Sequence, residues 1–343
     1  MKIVSTKCRR IWAAALVSLA AISLFSACAP VVKEGASSSP AEIASEGRFP
    51  VTLSSLNSKG EMEEETFTKP PERVVAVWQN SIETLLALGV GDRIVAGMGI
   101  PDAKYLRPEY REAYEKIPYR SLENLDLETV TMMNPDFIVG WASTFSPKVL
   151  RDTDYWHGRG VHTYISADSS AKEPVKTVEN EYRDILNMGR IFGRSERAEE
   201  IVQHMKDEIG RAEETARKTG RHPRALILER QGKSLTVYGE KTLAGNILKA
   251  MGGELLQPSS RDISREELID LNPDALFLVV IESDYERTDE VLSYFYEDEA
   301  LQNVDCIRNR NIHVLPLYAV YSAGVRMSDG IELVGKGLYG EDW

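Results

Sequence analysis

The segment RVVAVWQNSIETLLALGVGDRIVA, residues 73–96, decides the fold. Its opening, Arg73 to Trp78, is a β-branched run of the kind that fills a strand buried on both faces. Ser81 is placed to start a helix over residues 82–88, and Gly89 to stop it. A second apolar run at residues 93–96 follows at once. Strand, short loop, helix and strand make a βαβ unit, the building block of a parallel sheet covered by helices.

Upstream, residues 49–53 and 66–68 flank the turn-prone Asn57-Ser58-Lys59-Gly60 and read as a β-hairpin, which Pro70-Pro71 ends. Downstream come a helix at 127–134, a strand at 136–140, an amphipathic segment at 147–157 and a strand at 161–165, completing a first α/β lobe. From residue 173 to about 219 the pattern is helical, interrupted near Gly193-Arg194-Ser195, where Ser195 is expected to cap the second helix. After His222-Pro223 the alternation restarts. Strands are expected at 225–228, 235–238, 275–281 and 312–315, with helical stretches at 242–251 and 266–271.

Spacing shows that the second half repeats the first. Glu128 precedes Pro135-Asp136 and a strand, and Glu266 precedes Pro273-Asp274 and a strand at the same distance. Leu85-Leu86-Ala87-Leu88-Gly89 has a counterpart in Ile247-Leu248-Lys249-Ala250-Met251-Gly252. The expected architecture is therefore α/β, with two Rossmann-like lobes at 48–172 and 222–343. A long, rigid helical connector, 173–221, joins them, and a ligand cleft lies between them.

At the N-terminus Lys2, Lys7, Arg9 and Arg10 precede an apolar run, residues 11–25, and then Ser26, Ala27 and Cys28. This is the anatomy of a secretory signal over residues 1–27, too short for a membrane span. Phe25-Ser26-Ala27-Cys28 resembles the lipobox of bacterial lipoproteins, with Phe at the first position in place of the usual Leu. The resemblance implies a lipidated Cys28, and residues 28–47 read as a flexible tether. The protein is thus expected outside the cytoplasm, anchored to the cell membrane. Without the four positive charges of the signal the formal net charge moves from −12 to −16, which argues against nucleic acid as a partner. Cys306 is the only other thiol beyond the signal, so neither an intrachain disulfide within the body nor a cysteine metal site can form, and it reads as a core residue.

The chain resembles the extracytoplasmic solute-binding proteins of ABC importers, in the branch that carries iron-siderophores, haem and cobalamin. The matching segments are Pro71 to Val75, Glu83 to Gly89, Leu127-Glu128 to Pro135-Asp136, Tyr238-Gly239-Glu240 to Gly252-Gly253, and Ile263 to Asp274, in the family's order. The resemblance implies that Glu128 and Glu266 dock onto a permease dimer driven by a cytoplasmic ATPase. It also implies a monomer that captures a small-molecule chelate and carries no cofactor of its own. A ferric siderophore ranks first as ligand; haem, a corrinoid, or a partner-binding role as a sensor lipoprotein are the alternatives.

Open α/β sheets bind ligands beyond the C-terminal ends of their strands. By that rule the cleft candidates are Trp78, Gln79, Asn80 and Trp141 from the first lobe. The second lobe offers Arg230 with Gln231, Tyr238, Tyr318, Tyr321 and Arg326. Aromatic faces supply contact area and guanidinium groups pair with anionic oxygens. Each could instead serve packing or an internal ion pair, and Trp156-His157 reads as packing. The five histidines are dispersed without ligand spacing, so no metal site is expected. No Gly-x-Ser-x-Gly elbow, His-Glu-x-x-His or phosphate loop is present, and no catalytic residue is assigned.

Overall fold

Three β-sheets organise the described residues. The computed structural model describes residues 49–123, 126–232, 234–341 and 343; the signal, Cys28 and the tether lie outside them. β1 (Val51–Leu56) and β2 (Met62–Phe67) form the expected antiparallel hairpin. β3 (Val74–Val77), β4 (Ile94–Met98), β5 (Tyr119–Ser121), β6 (Phe137–Gly140) and β7 (His162–Ile165) form a wholly parallel sheet in the order β5-β4-β3-β6-β7. Every side chain of β3 and β6 is buried, as a strand covered on both faces requires.

The third sheet holds β8 (Arg224–Gln231), β9 (Ser234–Val237), β10 (Glu254–Leu255), β11 (Asp262–Ile263), β12 (Ala275–Val280) and β13 (Ile312–Pro316). β8, β12 and β13 run parallel, as β3, β6 and β7 do, and β10 lies parallel beside β8. The second lobe departs from the first in one place. β9 returns antiparallel against β8, and β11 pairs antiparallel with β9, so this sheet is mixed.

The sequence repeat has an atomic counterpart. Arg73, just before β3, donates to the carbonyls of Met133 and Asn134 at the end of helix Leu127–Met132. Arg224, opening β8, donates to those of Leu271 and Asn272 at the end of helix Arg265–Leu271. Asn134 and Asn272 both turn left-handed there, with φ of 48° and 40°. Asp136 accepts from the Glu72 and Arg73 amides, and Asp274 from the Arg224 amide, all at 2.8 Å. Orphan carbonyls at a helix end are thus satisfied by the strand that runs beside the next one.

The connector is two helices, Val178–Ile191 and Ser195–Thr219. Arg194 holds the cap position of the second without a side-chain bond, so Ser195 is its first residue and not its cap. The amphipathic segment at 147–157 is helical only over Thr153–His157. There Trp156 is buried and donates to the Leu150 carbonyl, which makes it a packing residue. Cys306 is likewise buried, and burial pushes its thiol up to about 12. Among the described residues no helix is long and apolar enough to cross a membrane.

Candidate functional site

β3 passes into helix Gln79–Ala87 with no loop, because Trp78 takes a φ of 74°, a strained value for a bulky side chain. Gly99 faces it, and a Cβ there would stand 2.8 Å from the indole. The ring of Trp78 stacks on that of Trp141, centroids 4.6 Å apart, and Tyr321 meets Trp141 edge-on at 5.4 Å. All three are half-buried. Trp78 and Trp141 follow the C-terminal ends of β3 and β6, while Tyr321 follows β13, so this aromatic cluster spans both lobes at the strand ends.

Asn80 ties the cluster together. It accepts from Trp141 Nε1 at 2.9 Å and donates to Ser166 Oγ at 3.0 Å and to Ser322 Oγ at 3.4 Å. On the second lobe Tyr238 donates to Glu229 at 2.7 Å. Burial first, then Glu229, raise the Tyr238 hydroxyl, and Tyr321 adds to the push, which puts the two tyrosines within electrostatic reach. Trp78, Asn80, Trp141 and Tyr321 are thus joined by ring contacts and hydrogen bonds into one site, while Tyr238 is bonded to Glu229 on the second lobe.

The other candidates sit elsewhere. Gln79 was expected in a loop but lies in the first helical turn, donating to Glu83 at 3.0 Å and to the Tyr105 carbonyl. Arg326 is 5 % exposed; it donates to both Glu83 oxygens at 3.0–3.1 Å and to Asp329 at 2.5 Å. Its guanidinium is thus spent on an internal ion pair, and Tyr318 is the ring over which it lies, at 4.1 Å. Arg107 completes this network through Asp329 and Ser328, and its amide binds Glu83. Arg230 stands apart on the surface over the Tyr294 ring, beside a cavity of about 220 Å³ at the ends of β8 and β12. Its neighbour Gln231 is exposed and donates to Glu229.

Below the aromatic cluster the lobes are fastened by carboxylates that sequence reasoning missed. Glu181, on the connector, accepts from the amides of Ala323 at 3.1 Å and Gly324 at 2.6 Å. Asp184 accepts from the Tyr164 hydroxyl at 2.7 Å and the Ala167 amide at 2.8 Å. Both line a water-sized cavity of about 20 Å³ shared with Asn80 and Ser81. Asp168 is held by Asn180 at 2.7 Å. A signal existed, since Glu181 falls on the apolar face marked by Val178, Ile185 and Met188.

Burial pushes Asp184 up to about 7 and Asp168 up to about 6, and raises Glu181 well above the usual range, with the neighbouring carboxylates adding to it. Below those values Asp168 and Asp184 keep protons in the fold that they release on unfolding, where carboxyls ionise near 4. Their stabilising contribution is complete below about pH 4 and fades as pH rises through 6 and 7. The melting temperature is expected to fall between pH 5 and pH 7.5, and Asp184→Asn to flatten that slope. Melting curves across the range check this, and a melting temperature that climbed with pH would refute it.

Glu128 and Glu266 occupy the second position of their helices, after the capping side chains of Asp126 and Ser264. Both are exposed, and among the described residues neither is in a salt bridge. The repeat of strand and helix thus presents a free carboxylate at the same helix position on each lobe.

A profile of the periplasmic binding protein family matches residues 74–319. The structure of a periplasmic binding protein from Veillonella parvula DSM 2008 is 46% identical in sequence, covers 84% of this chain and 92% of its own, and superposes with a TM-score of 0.81. The uncharacterized ABC transporter substrate-binding lipoprotein YvrC of Bacillus subtilis is 22% identical over 302 residues, 85% of this chain and 86% of that protein. The petrobactin-binding protein YclQ of the same organism is 23% identical over 265 residues, 75% and 78% of the two chains.

Proposed function

This chain belongs to the periplasmic binding protein family, and from that premise we propose that it is the substrate-binding component of an ABC importer for a ferric siderophore or similar metal chelate. The observation that carries the reading is the aromatic cluster of Trp78, Trp141 and Tyr321, built from both lobes at the ends of their strands. Stacked indoles and a phenol edge offer a broad, amphipathic contact to a flat or ring-rich ligand. Glu229 and Tyr238 add a polar edge to it. Among the described residues none of the five histidines bonds to any member of the cluster.

Delivery follows from the two free carboxylates. A permease dimer with basic groups on each half meets Glu128 on one lobe and Glu266 on the other, and opposite charge steers the encounter and fixes its register. Cys28 carries the lipid, and residues 29–47 tether the body to the outer face of the cell membrane.

The test is a tryptophan-fluorescence titration of residues 29–343 with ferric hydroxamate, ferric catecholate, haem and cobalamin, each repeated by calorimetry. One class is expected to bind saturably at one to one. Trp141→Ala is expected to weaken it by about tenfold or more, through lost stacking and the loss of Asn80's partner. Silence from all four in calorimetry would overturn the assignment to chelates.

A further inference from the structure

The two docking helices match in frame but not in flank. Helices Leu127–Met132 and Arg265–Leu271 share their capped starts, their glutamate at the second position and their left-handed asparagine at the end. One turn beyond the glutamate, on the same face, the first carries Met132 and the second Asp270. Met132 is 73% exposed, more than any other large apolar side chain among the described residues, and Leu122, in the segment leading to this helix, is 58% exposed. At the corresponding distance before the second cap stands Ser260.

The second helix has no such apolar surface. Ile269 and Leu271 pack against the core beneath it, and Asp270 is exposed. Arg265 is paired with Asp298 at 2.6 Å, and Glu267 closes the capping box on the Ser264 amide. What remains free there is the carboxylates of Glu266 and Asp270.

Resting on the importer reading above, we infer that the lobes dock by different chemistry. The first seats Met132 and Leu122 on an apolar shelf of the permease beside the basic group that meets Glu128. The docking helix of the second is held by charge alone. An exposed methionine gains free energy when a partner covers it, and its flexible thioether adapts to an uneven surface. That contribution is insensitive to salt, whereas exposed carboxylate contacts weaken as the screening length shrinks from about 10 Å at 0.1 M to about 3 Å at 1 M. The first lobe is therefore the anchor and the second the salt-sensitive clasp, and the chain meets the permease in one orientation.

Photoreactive benzoylphenylalanine placed at 132, at 270 or at the exposed control Glu199, in the full chain within its host's membranes, tests this. Adducts are identified by mass spectrometry. Positions 132 and 270 are expected to cross-link to the ABC permease and position 199 not to. The peptide captured at 132 should be mainly apolar and the one at 270 basic, and 1 M salt should remove the second adduct while leaving the first. Met132→Asp should cut the yield at 270 by about tenfold. A permease adduct at 270 with none at 132, or a Met132→Asp chain that docks unchanged, overturns the inference but leaves the importer reading standing. Absence of permease adducts from both positions overturns the importer reading itself.

Discussion

Replacing Glu128 and Glu266 together by alanine is expected to cut ligand delivery by about 100-fold or more while leaving ligand affinity within about twofold. Both side chains are exposed and unpaired among the described residues, so nothing in the fold depends on them. They project from helices whose ends are fixed by Arg73 and Arg224, and the ring contacts of the cleft residues Trp78, Trp141 and Tyr321 are with one another. Transport should fail at docking and not at capture. Uptake of the labelled ligand in cells carrying the double variant, set beside a titration of the purified chain, separates the two. Unchanged uptake would favour the partner-binding sensor over the importer.

The second large effect is on stability. Glu83 is fully buried and receives Arg326, Gln79 and the Arg107 amide. Burial presses its carboxyl upward, and the Arg326 charge is the chief force against that. Glu83→Ala leaves the Arg326 guanidinium buried with Asp329 as its remaining carboxylate and the Tyr105 carbonyl as its other acceptor, and removing one member of a buried pair costs about 3–5 kcal/mol. The melting temperature should fall by about 10 °C. The paired change Glu83→Leu with Arg326→Met should recover most of the loss, because it leaves no uncompensated charge. Thermal denaturation of the single and double variants decides it; a double variant no better than the single would show that Arg326 is held chiefly by Asp329.

The sequence made the alternation of strands and helices legible because buried β-branched runs and turn residues are local signals. The repeat was legible because Glu128 and Glu266 keep the same distance from a Pro-Asp pair, and the structure gives that pair a definite task at Asp136 and Asp274. What escaped depends on partners distant along the chain. Nothing near Arg326 points to Glu83, and a guanidinium following the last strand reads as readily for the cleft as for the interior. Gln79 was misplaced because helix Gln79–Ala87 begins at a tryptophan with positive φ, which no propensity anticipates. Helix Met327–Tyr339 hid behind three glycines, at 330, 335 and 337. They lower its helical propensity but admit close neighbours, Gly337 lying against Phe277 and Gly335 against Trp343.

The corners at Arg73 and Arg224 also set how load would travel through the molecule. Helix Leu127–Met132 leads by a short turn into β6, which is parallel to β3, so it runs antiparallel to β3 and puts Glu128 at the same end as Trp78. The helix, about 9 Å long, and the strand, about 13 Å, are struts joined at the far end by the guanidinium of Arg73. A pull on Glu128 passes down one strut, round that corner and back up the other to the indole. The second half is braced alike, through Arg224 and β8, and delivers its force to Glu229. At both corners the load would cross polar bonds to main-chain carbonyls in place of packed side chains.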